Sequence, residues 1–329
     1  MRGWIKILIY ALVFIAIGVL LKMFIPFGPE AVGSSVTVSP EVLFNIPTPF
    51  GNYPFTNTIL TAWIVMLLLA LLAYLATRKM ELIPSGLQNV MEFALETMMG
   101  LADSVAGERA RKFFVVTATI FIFVLFSNLI GLIPGFGPIG TITLEQGQQP
   151  PQGIVLWGDA PWAAPNPAET GVPILAPFVR APSTDVNLTL AIALVAMFLV
   201  EAWGFQANGF FGYLGRFFRF GMLGEFFGGL FKGKIKIGQF FMGLIDFFVG
   251  LIELVSEFAK IIAFTFRLFG NIFAGEIVLL IMAFLFAALP LIFYGFELFV
   301  GFIQAFVFFI LSLAFMTIAT TPHQAEGHH

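Results

Sequence analysis

The chain has 329 residues, of which 59% are hydrophobic and only 11% are charged, and its formal net charge is -3. These proportions exclude an ordinary soluble globular protein and indicate a protein with several membrane-spanning segments. There is no cysteine, and the three histidines all follow residue 320, which argues against disulfides, thiol chemistry and an intramembrane metal cluster. We therefore predict an all-α polytopic membrane protein that uses no metal and no cofactor and binds no nucleic acid.

Six apolar segments are long enough to cross a bilayer, for which about 20 residues suffice. In chain order they are 4–25, 57–77, 113–133, 186–205, 240–289 and 291–319. The first is either a cleaved signal or a retained anchor. Because no small-residue cleavage site follows at once, we predict an N-terminal membrane anchor over 1–25 and a single membrane domain over 26–329.

A further helix is predicted over 85–105, between the second and third spans. Glu92, Glu96 and Asp103 alternate there with apolar residues at helical spacing, which is typical of an amphipathic helix at the membrane interface. Most of the 16 lysine and arginine residues fall on one side of this arrangement. The positive-inside rule makes that side cytoplasmic and places both chain termini there.

The segment 245–286 is too long to stand upright in a bilayer. As a helix it would measure about 62 Å, whereas the hydrocarbon core is about 30 Å thick. Arg267 and Gln304 are equidistant from position 285.5, and Glu276 and Glu297 from position 286.5. A turn near residue 286 would bring both pairs level. We therefore predict that the last two spans form a long, strongly tilted antiparallel hairpin.

Charged residues spaced by seven mark a polar face on the first helix of this hairpin. They are Asp246, Glu253, Lys260 and Arg267, with Glu257 and Asn271 beside them. Simple structural pairing, for example of Lys260 with Glu257 or with Glu253, would explain part of this face. It explains Arg267 poorly, because no acid lies three or four residues away and an arginine inside a membrane helix costs at least a few kcal/mol.

Acids lie on both sides of Arg267 along the chain, which suggests two polar routes separated by a fixed positive charge. Glu253 and Glu257 lie toward the cytoplasmic end, and Glu276 and Glu297 toward the external end. If the latter two face each other, they would share a proton. A sodium site is the alternative for this pair, and an interfacial position is the alternative for Glu297.

Two amides complete the group of candidate residues. Asn271 and Gln304 would be the polar neighbours of Arg267. In membrane helices such residues also serve simply to hold helices together.

Several blocks of the sequence carry a family resemblance. They are EVLFNIP (41–47), TNTILTAW (56–63), SNLIGLIPG (127–135), PSTDVNLTL (182–190), RLFGNIFAGE (267–276) and IQAF (303–306). In this order, the blocks resemble subunit a of the rotary F-type ATP synthase and cover most of the chain after residue 40. The resemblance implies a stator subunit of a bacterial plasma membrane that conducts protons rather than sodium to and from a c-ring. It further implies contacts with b-type peripheral stalk subunits and with lipid, and no covalent chemistry in this chain.

The resemblance also implies roles for single residues. Arg267 takes the position of the family's essential arginine, which is expected to attract the rotor carboxylate and to separate two half-channels. The positions that match other family sites are Asn271, Glu276 and Gln304 in the half-channels, Glu253 and Lys260 on the same helix, and Asp185 in a loop. The family varies at position 297, where histidine is common.

Two other classes of function remain open at this point. A secondary transporter would use the intramembrane arginine to bind an anionic substrate. A purely structural membrane subunit would need none of these residues for ion movement. The chain shows no internal repeat, which disfavours the transporter.

Overall fold

The computed structural model describes residues 39–49, 51–133, 140–143, 174–231, 237–285 and 289–321. The predicted anchor over 1–25 lies outside these residues. Helices dominate the described residues, in agreement with the predicted all-α fold. In chain order they are α1 (Asn57–Thr77), α2 (Gly86–Ala106), α3 (Ala110–Gly131), α4 (Val186–Asn208), α5 (Phe210–Phe217), α6 (Gly221–Phe231), α7 (Ile237–Leu285) and α8 (Leu289–Thr320).

Four helical segments in the described part of the chain are long and apolar enough to cross a bilayer. They are Asn57–Thr77, Gly86–Gly131, Val186–Asn208 and Leu289–Thr320. α1 has the predicted bounds and begins where Thr56 caps its first turn by accepting a hydrogen bond from the Ile59 N–H. The total of about six spans stays a prediction, because the first lies outside the described residues and α7 is not among the four.

Only a short 3-10 turn, Gly107–Arg109, separates α2 from α3. Gly107 has a φ of +55°, a left-handed conformation that glycine adopts without strain. The two helices agree with the predicted interfacial helix and third span to within a few residues. Buried Met98, Ala102 and Ala106 recur every four positions of α2, as expected for an amphipathic helix. Its place at the membrane interface stays a prediction.

Two antiparallel strand pairs lie between the predicted membrane spans. Their strands are β1 (Val42–Thr48), β2 (Gly51–Thr56), β3 (Gly140–Thr143) and β4 (Ile174–Pro177). β1 pairs with β2, and β3 pairs with β4. The rings of Phe44 and Phe55 stack across the first pair with centroids 4.6 Å apart. Proline and glycine in these segments favour loops, but the strand ladders satisfy backbone groups that a loop would leave to water.

The segment 206–240, which lies between two predicted spans and whose lysines and arginines suggest a cytoplasmic loop, contains helices α5 and α6. α5 packs closely against α4, because Gly204 lies on the ring of Tyr213. A Cβ atom at position 204 would lie only 2.6 Å from the Cζ atom of that ring, so a larger residue would force the helices apart. Tyr213 is 2% exposed, which makes α5 a packed part of the fold.

The last two helices contact each other at two levels, and the antiparallel hairpin itself stays a prediction. α7 has 49 residues, a length of about 74 Å at 1.5 Å per residue. Gln304 of α8 lies level with Arg267 of α7, and Glu297 lies level with Gly275. The connection at 286–288 lies outside the described residues, and the strong tilt of the hairpin stays a prediction.

The chain divides into two compact units. Taken over the described residues, the first unit draws on Met1–Gln88, Ile122–Thr189 and Arg267–Phe306, and the second on Asn89–Phe121, Leu190–Phe266 and Val307–His329. α7 and α8 each contribute residues to both units. A single membrane domain over 26–329 stays a prediction.

Candidate functional site

Arg267 lies on an exposed face of α7 in the first unit, and Asn271 follows it one helical turn later on the same face. Gln304 of α8 is 5% exposed. Its Nε2 donates to the carbonyl oxygen of Arg267 at 2.6 Å, and its Oε1 accepts from Nδ2 of Asn271 at 2.9 Å. The structure therefore brings the three predicted residues together, and Gln304 contacts Arg267 through its backbone.

A second arginine, Arg180, forms an ion-pair network in the same unit and is 4% exposed. Its Nη2 and Nε donate to Oε2 of Glu276 at 3.1 and 3.2 Å. Its Nη1 lies 3.6 Å from Oε2 of Glu41, and that oxygen also accepts from Asn57 at 2.6 Å. One guanidinium group thus joins an acid on α7 to an acid that precedes β1.

Glu297 is 5% exposed, and its carboxyl group lies against the backbone of α7 at Gly275. A Cβ atom at position 275 would overlap this carboxyl group, so the glycine permits the approach. Glu276 is the next residue of α7, and its carboxylate binds Arg180. The structure therefore places Glu297 of α8 beside Gly275 of α7. A proton shared with Glu276 stays a prediction.

Asp185 is buried where α4 begins, with 4% exposed. Its Oδ1 accepts from the backbone N–H of Asn187 at 2.8 Å, which satisfies a donor of the first turn of α4. Its Oδ2 accepts from the Thr58 hydroxyl at 2.9 Å and so ties α4 to α1. The contacts of Asp185 are those of a helix cap, and its predicted place at a channel entrance is untested.

Glu253 of α7 is the centre of an ion-pair cluster in the second unit. Its Oε1 pairs with Nε of Arg216, and its Oε2 accepts from Nη2 of Arg219 at 3.0 Å. Burial opposes the charge of Arg216, but the hydrogen bond and the charge of Glu253 outweigh it and raise the pKa of the guanidinium. Both oxygens of Glu253 are therefore held by arginines, and the suggested pair with Lys260 does not form.

Glu257 lies in the same cluster, one helical turn beyond Glu253. Its Oε1 accepts from Nζ of Lys260 at 2.7 Å and lies 3.5 Å from Nη2 of Arg216. The Lys260 ammonium also lies 4.6 Å from the centre of the Phe315 ring. The structural pairing of Glu257 with Lys260, suggested by their spacing, is thus observed.

Two further residues of the second unit are Glu201 of α4 and Tyr213 of α5. The ring of Tyr213 lies against Gly204, about one helical turn after Glu201. Burial, followed by the charge of Glu201, raises the pKa of Tyr213 above its usual value. The Tyr213 hydroxyl therefore stays protonated at physiological pH, and its oxygen accepts a hydrogen bond from Nη1 of Arg216 at 3.5 Å.

Comparison with known proteins places this sequence in a family. Residues 59–317 match the protein family described as ATP synthase A chain. The chain belongs to the family of ATP synthase subunit a. It is therefore a subunit of the membrane sector of an ATP synthase, which supports the family resemblance over the transporter alternative.

Individual relatives carry the same name. ATP synthase subunit a of Helicobacter pylori strain P12 is 30% identical over 291 residues, which covers 87% of this chain and 98% of the relative. ATP synthase subunit a of Syntrophobacter fumaroxidans is 28% identical over 81% of this chain and 85% of the relative. ATP synthase subunit a of Helicobacter acinonychis is 29% identical over 79% of this chain and 87% of the relative.

Sequence reasoning missed several residues that pair with the acids of this chain or share their networks. They are Glu41, Asn57, Thr58, Arg180, Glu201, Tyr213, Arg216 and Arg219. A signal was present for Arg180, which is the only basic residue between positions 134 and 185. A buried acid in a membrane protein needs a counter-charge, and this arginine was the candidate nearest to the PSTDVNLTL block.

Proposed function

We propose that this chain conducts protons to and from the carboxylates of a c-ring through two offset half-channels, with Arg267 between them. The observation that carries the proposal is the exposed position of Arg267 on α7, one helical turn from Asn271. The buried Gln304 is hydrogen-bonded to both residues. An arginine keeps its charge at all physiological pH values. A fixed positive charge on an open helix face is suited to attract an ionised carboxylate that moves past it.

Acids on α7 and α8 supply the two routes. The external route uses Glu276 and Glu297 of the first unit, with Asp185 near its entrance. The cytoplasmic route uses Glu253 and Glu257 of the second unit, with Lys260 paired to Glu257.

The cycle requires no bond chemistry beyond proton transfer. A proton from the external route neutralises a c-ring carboxylate, which then moves into lipid as the ring turns. After almost a full turn the carboxyl group reaches the cytoplasmic route and releases its proton, and Arg267 attracts the resulting carboxylate. Each charge that crosses 100 mV contributes about 2.3 kcal/mol to rotation.

The proposed partners, membrane location and transported ion follow from this role. The partners are the c-ring, b-type peripheral stalk subunits and membrane lipid in a bacterial plasma membrane, with both chain termini on the cytoplasmic side. The transported ion is the proton rather than sodium.

The test replaces Arg267 in the assembled ATP synthase. We expect Arg267→Ala to abolish ATP synthesis driven by a proton gradient in reconstituted vesicles while the subunits still assemble. Arg267→Lys keeps a charge, but its amine can lose its proton, so we expect a severe loss there too. Arg111→Gln removes an exposed arginine of α3 and serves as the control with normal synthesis. Normal coupled synthesis by an assembled Arg267→Ala complex would refute the proposal.

A further inference from the structure

The β1–β2 strand pair of the first unit has one apolar face and one polar face. Residues that stand opposite each other in an antiparallel pair share a face, as do residues two positions apart on one strand. Phe44 stands opposite Phe55, and two positions along each strand Ile46 stands opposite Tyr53. These four residues form the apolar face. The polar face carries two asparagines and two prolines, namely Asn45, Pro47, Asn52 and Pro54. The side chains of Phe44, Ile46 and Tyr53 are exposed.

Ring contacts continue the apolar face onto α1. The Phe55 ring stacks on Phe44 with centroids 4.6 Å apart, and it lies edge-on to Trp63 of α1 with centroids 6.3 Å apart. Trp63 is exposed, as is Leu67 one helical turn later, on a helix that is long and apolar enough to cross a bilayer. Because the chain is a subunit of a membrane sector, we expect this exposed side of α1 to face lipid. The apolar face of the strand pair is continuous with it.

Two hydrogen bonds fix the base of the strand pair to the first residue of α1. The backbone N–H of Asn57 donates to the carbonyl oxygen of Glu41 at 3.1 Å, and its Nδ2 donates to Oε2 of Glu41 at 2.6 Å. Glu41 directly precedes β1. α1 has 21 residues, a length of about 32 Å, which is close to the hydrocarbon thickness of about 30 Å. The first residue of α1 therefore lies near one boundary of the hydrocarbon layer, and the base of the strand pair is held there.

The composition of the strand pair suits the headgroup layer rather than water or the hydrocarbon core. Positions 42–56 contain no charged residue, whereas strand edges that face water are commonly protected by charged side chains. The hydrocarbon core is unsuitable in turn, because the open edges of a strand pair find no hydrogen-bond partner there. Tyrosine and tryptophan, here Tyr53 and Trp63, concentrate at the level of the lipid headgroups. A shallow position in the membrane interface satisfies all of these constraints.

We propose that the β1–β2 strand pair binds the lipid surface, with its apolar face against the upper part of the acyl chains and its polar face toward water. The partner of this face is lipid rather than another protein. The strand pair then holds Glu41, which contacts Arg180, at the level of the membrane surface. The proposal needs only a membrane-embedded α1 and is independent of proton conduction, so it can fail or stand separately from the Arg267→Ala test.

Site-directed spin labelling of the assembled ATP synthase, in vesicles of phosphatidylethanolamine and phosphatidylglycerol, tests this position. The chain contains no cysteine, so one introduced cysteine is its only labelling site once the other subunits have no accessible cysteine. The measured quantity is the ratio of collisions with oxygen, which dissolves in lipid, to collisions with a water-soluble nickel chelate. We expect this ratio to be several-fold higher for Ile46→Cys and Tyr53→Cys than for Asn45→Cys and Asn52→Cys, the matched controls on the polar face.

Equal ratios on the two faces would overturn the proposed orientation. If the labels at positions 46 and 53 are shielded from both reagents, a protein covers the apolar face, and the lipid proposal is wrong. The unmodified complex provides a second measurement that does not depend on any variant. Lipid with a photoreactive group at the start of its acyl chain should cross-link to residues 42–56 several-fold more than lipid with the group at the chain end. Equal yields from the two lipids, or no cross-link from either, would contradict the shallow position.

Discussion

The guanidinium of Arg180 binds the carboxylate of Glu276, 96 positions later in the chain, with an Nη2–Oε2 distance of 3.1 Å. The Arg180 side chain is 3% exposed and that of Glu276 is 34% exposed. The same arginine reaches Glu41 before the first strand. This contact links the diagnostic RLFGNIFAGE block to the loop before α4, and it gives Glu276 a partner that its spacing along α7 does not reveal.

Replacing Arg180 should destabilise the first unit. Arg180→Gln leaves the carboxylates of Glu276 and Glu41 without their counter-charge. Breaking a buried pair costs about 3–5 kcal/mol, and we expect roughly the lower end because Glu276 is partly exposed. Thermal unfolding of the purified subunit complex measures the loss.

The matched control for Arg180 is Arg111→Gln, at an exposed arginine of α3, which should change stability little. Arg180→Lys keeps the charge without the planar fork that contacts two acids and should fall between the two variants. The double variant Arg180→Gln with Glu276→Gln should recover part of the loss. Equal stability of Arg180→Gln and Arg111→Gln would show that the Arg180 ion-pair network does not stabilise the fold.

The approach of Glu297 to α7 should depend on the glycine at position 275. Gly275→Ala places a methyl group where the Glu297 carboxyl group lies. Overpacking of this kind costs about 1–3 kcal/mol, so we expect weaker packing of α8 on α7 and a lower unfolding temperature. Gly270→Ala is the control, since a Cβ atom there would meet nothing within 4 Å. If Glu297→Ala does not relieve the defect of Gly275→Ala, the predicted clash is absent.

The two hydrogen bonds of the Gln304 side-chain amide should couple Gln304 energetically to Asn271. Gln304→Leu removes both hydrogen bonds, to Asn271 and to the Arg267 carbonyl oxygen. We expect it to cost about 1–3 kcal/mol, because it leaves a polar group unpaired. In a double-mutant cycle read by thermal unfolding, the double variant Asn271→Ala with Gln304→Ala should lose less stability than the sum of the two single variants. Strictly additive single variants would contradict a direct bond.

The tie between α1 and the start of α4 should depend on the Thr58 hydroxyl. Thr58 is fully buried and donates to Asp185 at 2.9 Å. Thr58→Val keeps the shape but leaves an Asp185 oxygen without this donor, at an expected cost of about 1–3 kcal/mol. Thr119→Val is the control, because that exposed hydroxyl bonds only the Val115 carbonyl of its own helix. Equal unfolding temperatures for the two valine variants would argue against the tie.

The helices could be predicted from the sequence because their causes are local. Apolar runs of bilayer length end at polar or glycine residues, so α1 has its predicted bounds and α4 begins at Val186. The contact of Gln304 with Arg267 was also predictable, since their spacing follows from the helical rise once a turn near 286 is assumed, and the hairpin itself stays a prediction. The α5 and α6 helices escaped prediction, because glycines and basic residues there suggest a loop.

Only the tertiary structure determined which acidic side chain pairs with which basic side chain. Glu253 pairs with Arg216 of α5 and with Arg219, which follows α5, rather than with Lys260, its neighbour by spacing. Glu276 pairs with Arg180, and Glu257 lies 3.5 Å from Arg216. The sequence by itself determined where the membrane helices lie and that Arg267 needs an explanation, because burial of apolar surface and the cost of a buried charge are properties of single segments. The pairing of acids with their counter-charges depends on how segments far apart in the chain pack together, and no local spacing contains that information.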